Sequence, residues 1–131
     1  MSTSTCPSWL QIQHFGRVAV VTFTTSNLFL EEDIWAAGHL LARLVEQGDR
    51  WLVLNLGSVE QLNSLMFARL ISLYHKVKGQ GGQLVLCNIT PRLREMFDAL
   101  SLHELIPIYE DQRRALESFG NGSKVNAAAQ S

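Results

Sequence analysis

Ser64 is the residue whose type and placement best suit chemistry. It stands where a polar turn, Gly57-Ser58-Val59-Glu60-Gln61-Leu62-Asn63, becomes an amphipathic run. A serine hydroxyl at a helix start can accept a hydrogen bond from a backbone N–H one turn in, a cap typically worth about 1 kcal/mol. The same free N–H groups and the helix dipole also stabilise a phosphate carried on that hydroxyl. Phosphorylation would add about −1.5 to −2 charge there. It would change the docking of any partner covering Met66, Phe67 and Leu70. On position alone the cap is favoured.

The other reactive side chains form no recognisable constellation. His14, His39, His75 and His103 lack metal-ligand spacing and read as surface or half-buried residues. Cys6 in a polar leader and Cys87 in an apolar run make neither a disulfide framework nor a zinc site, so both read as reduced thiols. Gly79-Gln80-Gly81-Gly82 follows a helix and precedes a strand, the wrong side for cradling a phosphate. It reads as a helix stop and tight turn. No Walker loop, dinucleotide fingerprint or G-x-S-x-G elbow is present, and the carboxylates fall on solvent faces. The chain is therefore read as a non-enzyme with no catalytic residue, metal or cofactor, and nucleotide binding has no motif behind it.

Composition narrows the class further. The chain has 131 residues, 47% hydrophobic and 18% charged, with a net charge of −1. That fits one soluble domain able to bury its own core. It leaves no electrostatic footprint for nucleic acid or an anionic membrane. The start, MSTSTCPS, lacks a charged residue followed by an apolar run. The apolar stretches fall short of the roughly 20 residues that span a bilayer. The expected location is the cytoplasm.

The elements that must position Ser64 follow from periodicity. Residues 1–8 read as a flexible leader and 120–131 as a disordered tail, leaving 9–119 as the domain. Leu10–His14 alternates like a half-buried strand and pairs as a hairpin with Arg17–Thr24. Leu30–Gln47 is helical, with Glu31, Glu32 and Asp33 in its first turn and an apolar stripe of Ile34, Ala37, Leu41, Leu44 and Val45. Trp51–Leu56 and Gln83–Cys87 are near-continuous apolar runs, as in strands buried on both faces. Between them a helix runs from Ser64 to Lys78. Thr90 and Pro91 open a helix to Leu100, Leu105–Tyr109 is a last strand, and Glu110–Phe119 a last helix. The order β-β-α-β-α-β-α-β-α implies an α/β fold. An N-terminal hairpin leads into a mixed, mainly parallel sheet of about five strands packed with four helices.

Three stretches together carry a family resemblance: LVLNLGSVEQLNS, LYHKVKGQGGQLVLCNITPRLREMFDALSL and LIPIYEDQRRAL. From about Leu10 to Phe119 the chain resembles the STAS-domain anti-sigma factor antagonists of bacteria. The resemblance implies the STAS fold and a place in partner switching. Such a protein binds an anti-sigma factor that is also a serine kinase, and so frees the sigma factor. The kinase phosphorylates a serine in a D-S-[ST]-G-L motif and releases the antagonist, and a serine phosphatase restores it. That motif falls on Asn63-Ser64-Leu65-Met66-Phe67, with Ser64 at the acceptor. Asn63 takes away a charge, and Leu65 and Met66 add bulk where in-line transfer needs an open approach. The family's G-E-[LI]-D turn is replaced by Thr25-Ser26-Asn27-Leu28.

The function expected on this basis is an antagonist-type regulatory module that binds an anti-sigma factor/serine kinase, with Ser64 as the candidate site for control by phosphorylation. Its partner surface comprises Ser58, Asn63, Ser64, Leu65, Met66, Phe67 and Arg69. The alternative is an unphosphorylated STAS module, a constitutive scaffold or self-associating domain. There Leu65, Met66 and Phe67 would form an apolar patch suited to a homodimer.

Overall fold

The computed structural model describes residues 8–28 and 31–119. The expected leader up to residue 7, with Cys6, and the expected tail from residue 120 lie outside the described residues. Strands β1 (Leu10–Phe15) and β2 (Val18–Phe23) form the expected antiparallel hairpin, pairing Leu10 with Phe23 and Phe15 with Val18. Gly16 turns it with φ 61°, a left-handed value at which glycine has no Cβ clash.

From β2 onward the sheet is parallel. Its order is β1-β2-β4-β6-β7, with β4 at Trp51–Asn55, β6 at Gln83–Cys87 and β7 at Ile108–Tyr109. Side chains alternate between two buried faces, which explains the unbroken apolar runs. One face carries Ala19, Val21, Leu52, Leu54, Leu84 and Leu86. It is covered by α1 (Glu31–Glu46), α2 (Ser64–Gly79) and α3 (Pro91–Ala99). The other carries Val18, Val20, Val53, Val85 and Cys87 under α4 (Gln112–Glu117) and its Ala115. Burial pushes the Cys87 thiol up to about 12, with the Asp111 carboxylate adding to the rise. The group is a packing residue, protonated at neutral pH and unsuited to nucleophilic work.

Phe97 of α3 is fully buried and meets Phe67 of α2 edge-on, with ring centroids 5.1 Å apart at 70°. Such a pair adds about 0.5–1.5 kcal/mol beyond the area it buries. It locks the two helices whose starts border the Ser64 region.

Four elements differ from expectation. The last strand is shorter, because a 3-10 turn at Leu102–Glu104 precedes it and sends Leu102 and Ile106 into the core. Pro107 has no N–H to give a ladder, but its carbonyl accepts from Leu86 N–H at 2.9 Å. The last helix begins only at Gln112, because Asp111 caps it by accepting from Arg114 N–H at 2.8 Å. Two further strands also form, β3 (Asn27–Leu28) and β5 (Gln61–Leu62), in a separate parallel ladder. No described helix is long and apolar enough to cross a membrane.

Candidate partner-binding site

The β3–β5 ladder joins the turn before α1 to the turn before α2. Asn27 pairs with Gln61 and Leu28 with Leu62, and Glu60 N–H donates to the Ser26 carbonyl at 2.7 Å. The turn from Gly57 to Asn63 is held elsewhere too. Asn55 accepts from Gly57 N–H at 3.0 Å through its side-chain carbonyl and donates to Gln112 at 3.1 Å through its amide. Val59 and Leu62 are buried beneath the turn, while Ser58 and Glu60 face solvent. The region is a platform on fixed supports.

The cap of α2 is Asn63, not Ser64. Asn63 has the extended backbone of a cap residue, φ −97° and ψ 173°, and its side chain accepts from Met66 N–H at 3.0 Å. Its carbonyl also accepts from Phe67 N–H at 3.2 Å. Ser64 is already the first helical residue, with an exposed side chain. The Asn63 side chain thus meets one of the four N–H groups that a helix start leaves open, and its carbonyl takes the first intrahelical bond. Asn63→Ala should lower stability by about 1 kcal/mol, read as a urea midpoint shift at unchanged slope. A loss under a few tenths would show that the cap contributes nothing.

Burial separates the expected partner residues into two groups. Ser58, Ser64 and Arg69 are exposed, and Asn63 and Leu65 are half-buried. Met66 and Phe67 are 1% and 4% exposed and belong to the core, so neither can face a partner. The apolar patch of Leu65, Met66 and Phe67 therefore does not exist. Met66→Asp would bury a charge rather than break a dimer. The inward turn of Met66 also takes its bulk away from the approach to Ser64, while Leu65 stays half-buried beside it. α2 has no acidic residue in its first turn, so a phosphate on Ser64 would meet no like charge from that turn.

The sequence reading overlooked Trp35. Its side chain is 59% exposed and stacks on His39 at 5.0 Å and 5°. Trp35, Leu65, Arg69, Glu31 and Glu32 line one groove between α1 and α2. Arg69 reaches across to α1, where its Cδ lies 3.4 Å from the position a Cβ on Gly38 would take. Trp35 follows Ile34 and falls off the apolar stripe of α1. That was the available signal that it faces outward.

Comparisons with known proteins agree with this architecture. The STAS domain pattern matches residues 11–115. BtrV of Bordetella bronchiseptica, provisionally named an anti-sigma factor antagonist, is 28% identical over 79 residues, 60% of this chain and 68% of that protein. A Paenibacillus polymyxa protein named anti-sigma F factor antagonist is 25% identical over 65 residues, 50% of this chain and 56% of its own length. The anti-sigma factor antagonist SpoIIAA in its unphosphorylated form superposes with TM-score 0.74 at 15% identity, covering 89% of this chain and 99% of that one. SpoIIAA of Bacillus has also been solved in its phosphorylated form, with TM-score 0.66 at 13% identity over 84% and 98% of the two chains. At those identities the structural likeness establishes the fold. The family match over most of the chain makes it a STAS domain protein, one whose named relatives are anti-sigma factor antagonists.

Proposed function

We propose that this chain binds an anti-sigma factor of the serine kinase type through the platform at the start of α2, and that Ser64 is the phosphate acceptor controlling that binding. One observation carries the reading. Asn63 has taken over the capping role, so the Ser64 hydroxyl is exposed at a helix start and not committed to holding the helix. The dipole and the remaining first-turn N–H groups favour a phosphate there. Met66, the other bulky residue after Ser64, is buried and so takes no room on the outer side.

The test uses the full-length protein, the purified anti-sigma factor kinase of the same genome, and ATP. Binding is expected in titration calorimetry, and mass spectrometry is expected to find phosphate on Ser64. Binding without phosphate would remove the switch and leave a constitutive module. No binding would remove the antagonist reading itself.

A further inference from the structure

We infer that Trp35, Glu31 and Glu32 form a second recognition point, a seat for an arginine or lysine side chain of the protein partner that docks beside Ser64. The inference rests on the function proposed above and adds the chemistry of what the partner must present.

Exposed apolar side chains standing singly are ordinary. Trp35 is not single. Its groove includes Leu65, the residue after Ser64, so the indole is continuous with the proposed platform. One face of the indole is covered by the parallel His39 ring, and no second ring of the described residues stacks on it. Long helical side chains lean toward the helix N-terminus, which brings Trp35 over the turn carrying Glu31 and Glu32.

The charges decide the kind of visitor. Glu31, Glu32 and Asp33 form the acidic first turn of α1. None of the three takes part in an ion pair among the described residues. Arg69 lines the same groove from α2 but does not pair with either glutamate. Its stem reaches α1 one turn beyond Trp35, with Cδ 3.4 Å from where a Cβ on Gly38 would stand. Two carboxylates against one guanidinium give the groove a net negative charge. An aromatic face beside unpaired carboxylates suits a guanidinium or ammonium, which can lie on the ring and hydrogen-bond the carboxylates together.

The test measures the affinity of wild type, Trp35→Ala and the double variant Glu31→Gln/Glu32→Gln for the same purified anti-sigma factor kinase at two salt concentrations. Thermal melts check that each variant is folded. Trp35→Ala should raise Kd by about 30-fold or more, as loss of an interface anchor does. The double variant should slow association several-fold and flatten its salt dependence. Unchanged affinity of a folded Trp35→Ala protein would overturn the seat while leaving the proposed function standing. A full effect of Trp35→Ala with none from the glutamates would overturn its cationic occupant. Failure of the wild type to bind would remove the proposed function and the seat with it.

Discussion

Gly82→Ala is expected to destabilise the fold by about 3 kcal/mol, at the upper end of what overpacking usually costs. Gly79→Ala, in the same glycine cluster, should instead be neutral or stabilise by about 0.4–1 kcal/mol. Gly82 is buried, and a Cβ there would run into the Arg50 carbonyl oxygen. It would also stand 2.8 Å from the Arg50 carbonyl carbon. The obstacle is main chain, so no rotamer change relieves it. Moving Arg50 would strain the bond from Gln83 N–H to the Arg50 carbonyl, 2.8 Å long, where β6 begins beside β4. Gly79 has nothing within 4 Å of where its Cβ would be, and it sits in the last turn of α2. Urea unfolding of the two variants measures the contrast. Equal, small effects would mean that Gly82 serves only as a flexible turn residue.

The cluster also shows where sequence reading stops. Its role as a helix stop is legible, because glycines between a periodic run and an apolar run punctuate structure. That Gly82 is set by the closeness of the Arg50 backbone, just before β4, is not legible, since it depends on how β4 and β6 align. The same divide runs through the fold. WLVLN and QLVLC announce doubly buried strands by their own composition. The β3–β5 ladder has two residues in each strand, too few for any period, and exists because Ser26 and Glu60 meet in space.

At the candidate site, Asn63 and Ser64 are both good cap residues, and only the extended backbone of Asn63 decides between them. Met66 and Phe67 lie in the wide apolar arc of α2, and that arc does not say which members face outward. Phe67 turns inward because Phe97 of α3 waits for it. Trp35 could have been noticed, because it sits beside the stripe rather than on it.

Ser64→Asp should weaken binding to the anti-sigma factor kinase by about tenfold or more, while Ser64→Ala should bind within about threefold of wild type and accept no phosphate. A kinase engaging Ser64 must hold ATP with its γ-phosphate in line with the serine oxygen. A charge fixed at Ser64 then faces the phosphates of the bound nucleotide, and like charges brought together out of water repel strongly. The acidic groove around Trp35 is a separate contact. In the proposed complex it would attract a cation of the partner, so the two negative regions would act in opposite directions. Aspartate carries less charge than a phosphate, which makes the expected loss a lower limit.

The fold itself should not suffer. Asn63 keeps the cap in both variants, and a carboxylate in the first helical turn adds about 0.3–1 kcal/mol through the dipole. A Ser64→Asp protein that melts no lower than wild type yet binds weakly would therefore locate the loss at the interface. Equal binding by both variants and wild type would take the switch away from Ser64. The platform would then stand as a constitutive docking surface, with affinity set by its shape and by the groove between α1 and α2.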